Sequence, residues 1–223
     1  MSNPGDPGSD PVVSRRRSWS DLGPRLVSAL VLIALTATAL YIGSYVFAAV
    51  VGAVFAGAYR EWETMVSRAP PGVPGMALIG LVAISGLVYP LFGPLGTVAV
   101  IAVAWLVAIG MRGEGVLWRI LGLVTFGAII IAALAMRGDT LTGVWAGVYL
   151  GTVVWMTDSA AFFTGRQIGG EKLAPDISPS KTWSGALGGL ALGTGAGLLV
   201  WVVATDSPWW IGLVLSATIS VLG

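Results

Sequence analysis

The sequence predicts an all-α fold, a polytopic transmembrane helical bundle of about eight spans with its N-terminus in the cytoplasm. Three observations carry that reading. Of the 223 residues, 56% are apolar and only 10% are charged, where ordinary soluble chains carry about a quarter charged residues. The mean hydropathy is +0.86, so lipid is the solvent for most of the chain. Lysine and arginine also gather at alternate ends of the apolar stretches, as the positive-inside rule requires of a chain threaded back and forth through a bilayer.

The elements follow in order. Residues 1–24, with Pro4, Pro7, Pro11, Gly5, Gly8 and several Ser and Asp, cannot bury a core and read as a disordered cytoplasmic tail. Arg15, Arg16, Arg17 and Arg25 precede the first apolar run, which continues into further spans without a small-residue cleavage site and so does not read as a signal peptide. A helix crossing roughly 30 Å of hydrocarbon needs about 20 apolar residues. Stretches near 26–43, 44–59, 75–91, 95–111, 117–136, 143–163, 183–204 and 209–223 approach that length, the first two parted only by Gly43-Ser44. Residues 25–223 thus form one transmembrane domain, with a cytoplasmic loop at 164–183 and no room for a second soluble domain.

With a cytoplasmic N-terminus, Arg15, Arg16, Arg17, Arg25, Arg60, Arg68, Arg112, Arg119, Arg166, Lys172 and Lys181 all fall inside, which leaves only Arg137 of the twelve cations outside. Trp62, Trp118, Trp145, Trp209 and Trp210 fall near span ends, where an aromatic ring suits the headgroup level. Gly185, Gly189, Gly193 and Gly197 recur every four residues and make a smooth ridge against which another helix can pack closely. The chain has no cysteine and no histidine. Thiolate or imidazole metal sites and histidine acid–base chemistry are therefore excluded, and catalysis would rest on carboxylates, cations, hydroxyls and bound metal.

The polar residues concentrate between Trp155 and Gly189. Asp158 falls inside the sixth span, about five residues or roughly 7 Å from its expected end, where a carboxylate is costly unless a cation or a water-filled cavity receives it. The bland alternative is a buried Asp paired with a nearby Arg or backbone donor. Ser159 adds a hydroxyl beside it, and Arg166 follows on the same face. Gly169-Gly170 can turn backbone N–H groups onto an anion, Lys172 adds a mobile charge, and Ser178, Ser180, Lys181 and Thr182 lead into the next helix. Hydroxyls, an ammonium and a helix N-terminus make a phosphate site, although Ser180 or Thr182 could equally serve as a helix cap. Taken together, the residues read as a metal-assisted phosphate-handling site at the membrane surface.

The run DSAAFFTGRQIGGEKLAPDISPSKTWSGALGG resembles the phosphatidate cytidylyltransferases, also called CDP-diacylglycerol synthases. In that family an Asp-Ser pair on a membrane helix is followed by Gly-Arg, Gly-x-x-Lys-Leu and Ser-Pro-x-Lys-Thr-Trp-x-Gly. The Glu61-Trp62 pair is similar to the family's early cytoplasmic loop. The family's more C-terminal motif, which contains His-Gly-Gly and Asp-Arg-x-Asp, has no counterpart before Gly223, so a fragment or truncated member is expected, with its independent activity in doubt.

The resemblance implies transfer of a cytidylyl group from CTP to phosphatidic acid in phospholipid biosynthesis, giving CDP-diacylglycerol and pyrophosphate with Mg2+ as cofactor. It assigns catalytic roles to Asp158, as metal ligand, and to Lys181. Ser159, Arg166, Lys172, Ser178, Ser180 and Thr182 are the expected substrate contacts. The expected setting is the inner (plasma) membrane, with lipid as partner, no nucleic acid, and a homodimer as one assembly open to the chain. A cation- or proton-coupled transporter using Asp158 would need paired broken helices in two corresponding halves, and the sequence has one polar interruption and no repeat. A non-catalytic membrane subunit is the other alternative.

Overall fold

The computed structural model describes residues 22–111, 115–176 and 178–222. Arg15, Arg16, Arg17, Arg112 and the tail through residue 21 lie outside the described residues, as does the side chain of Arg25. Among the described residues the chain is all-α apart from one short hairpin. Its helices are α1 (Leu22–Ile42), α2 (Ser44–Ser67), α3 (Val73–Leu87), α4 (Tyr89–Gly110), α5 (Val116–Arg137), α6 (Leu141–Gln167), α7 (Trp183–Ala204) and α8 (Trp209–Leu222). Three of them, α4, α5 and α7, are long and apolar enough by themselves to cross a membrane, with mean hydropathies of 2.2, 2.2 and 1.9. The chain divides into two compact units between residues 35 and 36, the first being the N-terminal part that includes most of α1.

The break between α1 and α2 is one residue long. Gly43 takes φ 71° and ψ −154°, and a Cβ there would meet the Arg137 guanidinium. Arg137 is buried and spends its donors on the last carbonyls of α1: Nε donates to Leu40 O, and Nη2 donates to Tyr41 O at 3.2 Å. Nη1 donates to Gly138 O at 2.8 Å. A cation at a helix C-terminus satisfies orphan carbonyls and complements the dipole, which gives the one exception to the charge bias a structural reason.

Two expected boundaries move. The second helix runs on to Ser67, two turns past residue 59, because Trp62 and Glu63 find partners on α5. A further boundary, between α3 and α4, falls at Val88, which keeps right-handed helical dihedrals (φ −80°, ψ −15°), while the backbone leaves helical geometry inside the expected gap at 92–94, where Gly93 (φ 63°, ψ −157°) precedes Pro94 and kinks α4. Phe47, Val51, Leu78, Val82, Ile101, Leu123 and Ile130 make the buried core of α2 to α5. Gly86 fits against Gly52, where a Cβ would come within 2.9 Å of the Gly52 Cα.

The glycine ridge does pack a helix. Gly185, Gly189, Gly193 and Gly197 are all buried, lying along Ala161, Thr157 and Val153 of α6, with Ser220 and Ser216 of α8 on the flank. A Cβ on Gly189 would stand 2.9 Å from the Thr157 carbonyl oxygen, a backbone atom that cannot swing away. Gly189→Val is expected to cost about 1–3 kcal/mol from overpacking. Gly195 has nothing within 4 Å of its Cβ position, so Gly195→Val should unfold near the wild-type temperature in the same detergent. Equal melting temperatures for the two variants would contradict the packing.

Candidate active site

The expected loop at 164–183 is folded. The last turn of α6 takes in Thr164 to Gln167, and Lys172–Ala174 (β1) pairs antiparallel with Ser178–Thr182 (β2). The register sets Lys172 opposite Thr182 and Ala174 opposite Ser178. Pro175-Asp176 suits the intervening turn, and Pro179, which has no N–H, is tolerated in a two-stranded ribbon with both edges open. The hairpin's few residues and two prolines hid its period-two pattern from a reading of the sequence. Gly169 and Gly170 take φ of 64° and 103°, positive-φ conformations that glycine adopts without strain.

Extension of α6 also moves Asp158. It lies nine residues before Gln167, roughly 13 Å along the axis instead of about 7 Å. Gly165 stays helical because it packs on the start of α7, where a Cβ would come within 2.9 Å of Thr182 Oγ1 and 3.4 Å of the Gly185 Cα. Gly185 faces Ala161 and Gly165, and Gly189 faces Thr157 and Ala161, so Asp158 lies at about the level of Gly189, roughly 9 Å or nearly two turns beneath the α7 N-terminus. Its carboxylate is exposed, with neither a hydrogen bond nor an ion pair among the described residues, and the alternative of a buried Asp paired with an Arg or a backbone donor does not hold. Ser159, Phe162 and Phe163 beside it are exposed too.

The other expected contacts divide. Lys172, Ser180 and Lys181 are exposed on the hairpin, and Ser178 is half-buried. Arg166 lies 6.0 Å from the centre of the Phe162 ring, a cation–π stack along the last turns of α6. Thr182 is buried and is the N-cap of α7: Gly185 N donates to its Oγ1 at 3.2 Å. The helix-cap reading thus describes Thr182 but not Ser180. Among the described residues no three Asp or Glu gather into a metal cage.

Sequence reasoning missed a second polar centre. Glu63 (1% exposed) and Arg119 (7% exposed) form a buried bidentate ion pair, in which Arg119 Nε donates to Oε1 and Oε2 at 3.0 and 2.9 Å and Nη2 donates to Oε1 at 2.9 Å. Beside it Trp62 Nε1 donates to Trp118 O at 2.9 Å, and its ring packs on Gly122 and Phe126. Trp62 is therefore a packing residue, while Trp118, Trp209 and Trp210 are exposed as an aromatic belt requires.

Known proteins share this arrangement of sequence. The chain is 32% identical over 207 residues to the phosphatidate cytidylyltransferase of Brucella suis, covering 91% of this chain and 76% of that protein. It is 32% identical over 188 residues to the phosphatidate cytidylyltransferase of Pseudomonas aeruginosa, covering 76% of this chain and 67% of that one. The enzyme of that name from Haemophilus influenzae matches at 46% identity over 52 residues, 23% of this chain and 18% of its own. The model of the cytidylyltransferase family matches residues 23–223, and the chain belongs to that family.

Proposed function

We propose that the chain transfers a cytidylyl group from CTP to phosphatidic acid, giving CDP-diacylglycerol and pyrophosphate. The observation that carries the reading is an exposed Asp158, without a hydrogen bond or ion pair among the described residues, on α6 about two turns beneath the end of the helix pair from which the hairpin bearing Lys172 and Lys181 projects, in a chain of this family. A phosphate oxygen of phosphatidic acid attacks the α-phosphorus of CTP, the new P–O bond forms, and the bond to the leaving pyrophosphate breaks. No protein nucleophile is required; the protein aligns the reactants and neutralises charge.

Lys181, Lys172 and Arg166 hold phosphate oxygens, and Ser159, Ser178 and Ser180 orient them. Thr182 contributes by fixing the start of α7, since its oxygen is already engaged there. A lone carboxylate fits magnesium, which is commonly bound through one or two carboxylates plus water and substrate phosphates, so Asp158 would hold the ion. Bound there, magnesium supplies charge neutralisation to the triphosphate. The reaction is tested with radiolabelled CTP and phosphatidic acid in micelles: labelled lipid should form only when CTP, phosphatidic acid and magnesium are all present, and its absence would overturn the reading.

All eight helices are proposed to span the inner membrane, with the N-terminus and the hairpin cytoplasmic. This is supported by contacts of Glu63 near the α2 end with Arg119 near the α5 start, which bring Arg60, Arg68 and Arg119 to one end of the bundle. Cytosolic CTP and a headgroup-level lipid phosphate would meet there. Cysteines placed singly at Gln167 and Lys172 of this cysteine-free chain should resist membrane-impermeant thiol reagents added to intact cells. Labelling of both from outside would invert the topology.

A further inference from the structure

The sequence singled out Gly169-Gly170 and Thr182 as parts of a phosphate site, and a residue outside that set holds them together. Ser184 lies in the first turn of α7 and is half-buried. Its Oγ donates to the Gly169 carbonyl at 2.5 Å and lies 3.1 Å from Thr182 Oγ1. A hydroxyl has one proton, and Ser184 gives its own to Gly169, so the Thr182–Ser184 bond must carry the Thr182 proton. Thr182 Oγ1 in turn accepts from Gly185 N. The result is a one-directional chain: helix N–H to Thr182, Thr182 to Ser184, Ser184 to the Gly169 carbonyl. Each link polarises the next. The Trp183 N–H, donated to Glu171 O at 3.1 Å, makes a second tie two residues along the turn.

We propose that Ser184 is a positioning residue for CTP binding: its hydroxyl fastens the Gly169-Gly170 turn to the α7 N-terminus, so that the turn and the lysines of the hairpin present one preformed surface to the triphosphate. This rests on the cytidylyltransferase reading above. Both glycines are in left-handed conformations and nothing lies within 4 Å of either Cβ position, so side-chain packing does not hold the turn in place. The hydrogen bonds of Ser184 and Trp183 tie it to α7, and on the other side Gly169 N donates to Gly165 O of α6 at 3.2 Å. Because Ser184 has its only proton committed to the protein, it acts through the turn and not on the substrate.

The test compares Ser184→Ala with Ser184→Thr, which restores a hydroxyl. Hydrogen–deuterium exchange of the detergent-solubilised protein reads the tie whatever the turnover. Amides of residues 169–172 should exchange about tenfold faster in Ser184→Ala and near the wild-type rate in Ser184→Thr, with α7 beyond its first turn unchanged. In the micellar assay Ser184→Ala should raise the KM for CTP about fivefold to tenfold, as loss of one hydrogen bond does, leave the KM for phosphatidic acid unaltered, and be rescued by Ser184→Thr. Unchanged exchange in Ser184→Ala would overturn the tie. Faster exchange with an unchanged KM for CTP would overturn its role in binding. Failure of the wild type itself to make CDP-diacylglycerol would instead strike the underlying reading.

Discussion

Asp158→Asn is expected to reduce CDP-diacylglycerol formation by about 10²-fold or more at saturating CTP, while the variant stays folded in the membrane. The substitution keeps the size and hydrogen-bonding capacity of the side chain and deletes the charge that would hold magnesium. Stability should be spared because the carboxylate is exposed and makes no hydrogen bond or ion pair among the described residues, so nothing in the fold depends on it. Lys181→Ala supplies the contrast: if the ammonium grips the CTP phosphates, its removal raises the KM for CTP, and lowers kcat as well if the grip tightens in the transition state. Both are measured in protein expressed from its full reading frame, across a magnesium titration. An Asp158→Asn protein with lowered yield and near-normal turnover per folded molecule would remove Asp158 from the active site.

The largest loss of stability is expected from breaking the pair between Glu63 and Arg119. Each charge sits at the unfavourable end of its own helix: Glu63 is near the C-terminus of α2, and Arg119 is in the first turn of α5. Their burial is tolerable only because each neutralises the other through bonds of 2.9–3.0 Å. Arg119→Met alone leaves a buried, unpaired carboxylate and should cost about 3–5 kcal/mol, and Glu63→Met should cost a similar amount. The double variant Glu63→Met/Arg119→Met removes both charges and should regain most of that loss. Thermal unfolding in one detergent reads all three, and a double variant no more stable than the worse single would refute the account.

How much could be read beforehand varied with the range of the interaction. Helix positions were legible because hydropathy is a local property, and the ridge of Gly185, Gly189, Gly193 and Gly197 named its own packing face through four-residue spacing. Gly93-Pro94 carries a strong breaking signal and does interrupt the helical backbone, whereas the boundary at Val88, where the dihedrals stay right-handed, has no such residue to mark it. Glu63 and Arg119 are 56 residues apart, and nothing in the sequence around either one names its partner. Arg137 looked like a lapse in the charge bias until the carbonyls of Leu40 and Tyr41 came into view. In the site, residue types pointed to phosphate, but a linear reading could not show that the Thr182 hydroxyl is spent on a cap or that Ser184 carries the chain of hydrogen bonds onward to Gly169.

The central claim is attack by a lipid phosphate on the α-phosphorus of CTP, and the fate of labelled phosphorus tests it most directly. Parallel reactions contain phosphatidic acid, magnesium and CTP labelled at either the α- or the γ-position. Cytidylyl transfer puts the α-label into an extractable lipid that runs as CDP-diacylglycerol and the γ-label into aqueous pyrophosphate, in equal amounts. Recovery of the γ-label in the lipid, or release of pyrophosphate without α-label in the lipid, would contradict the mechanism.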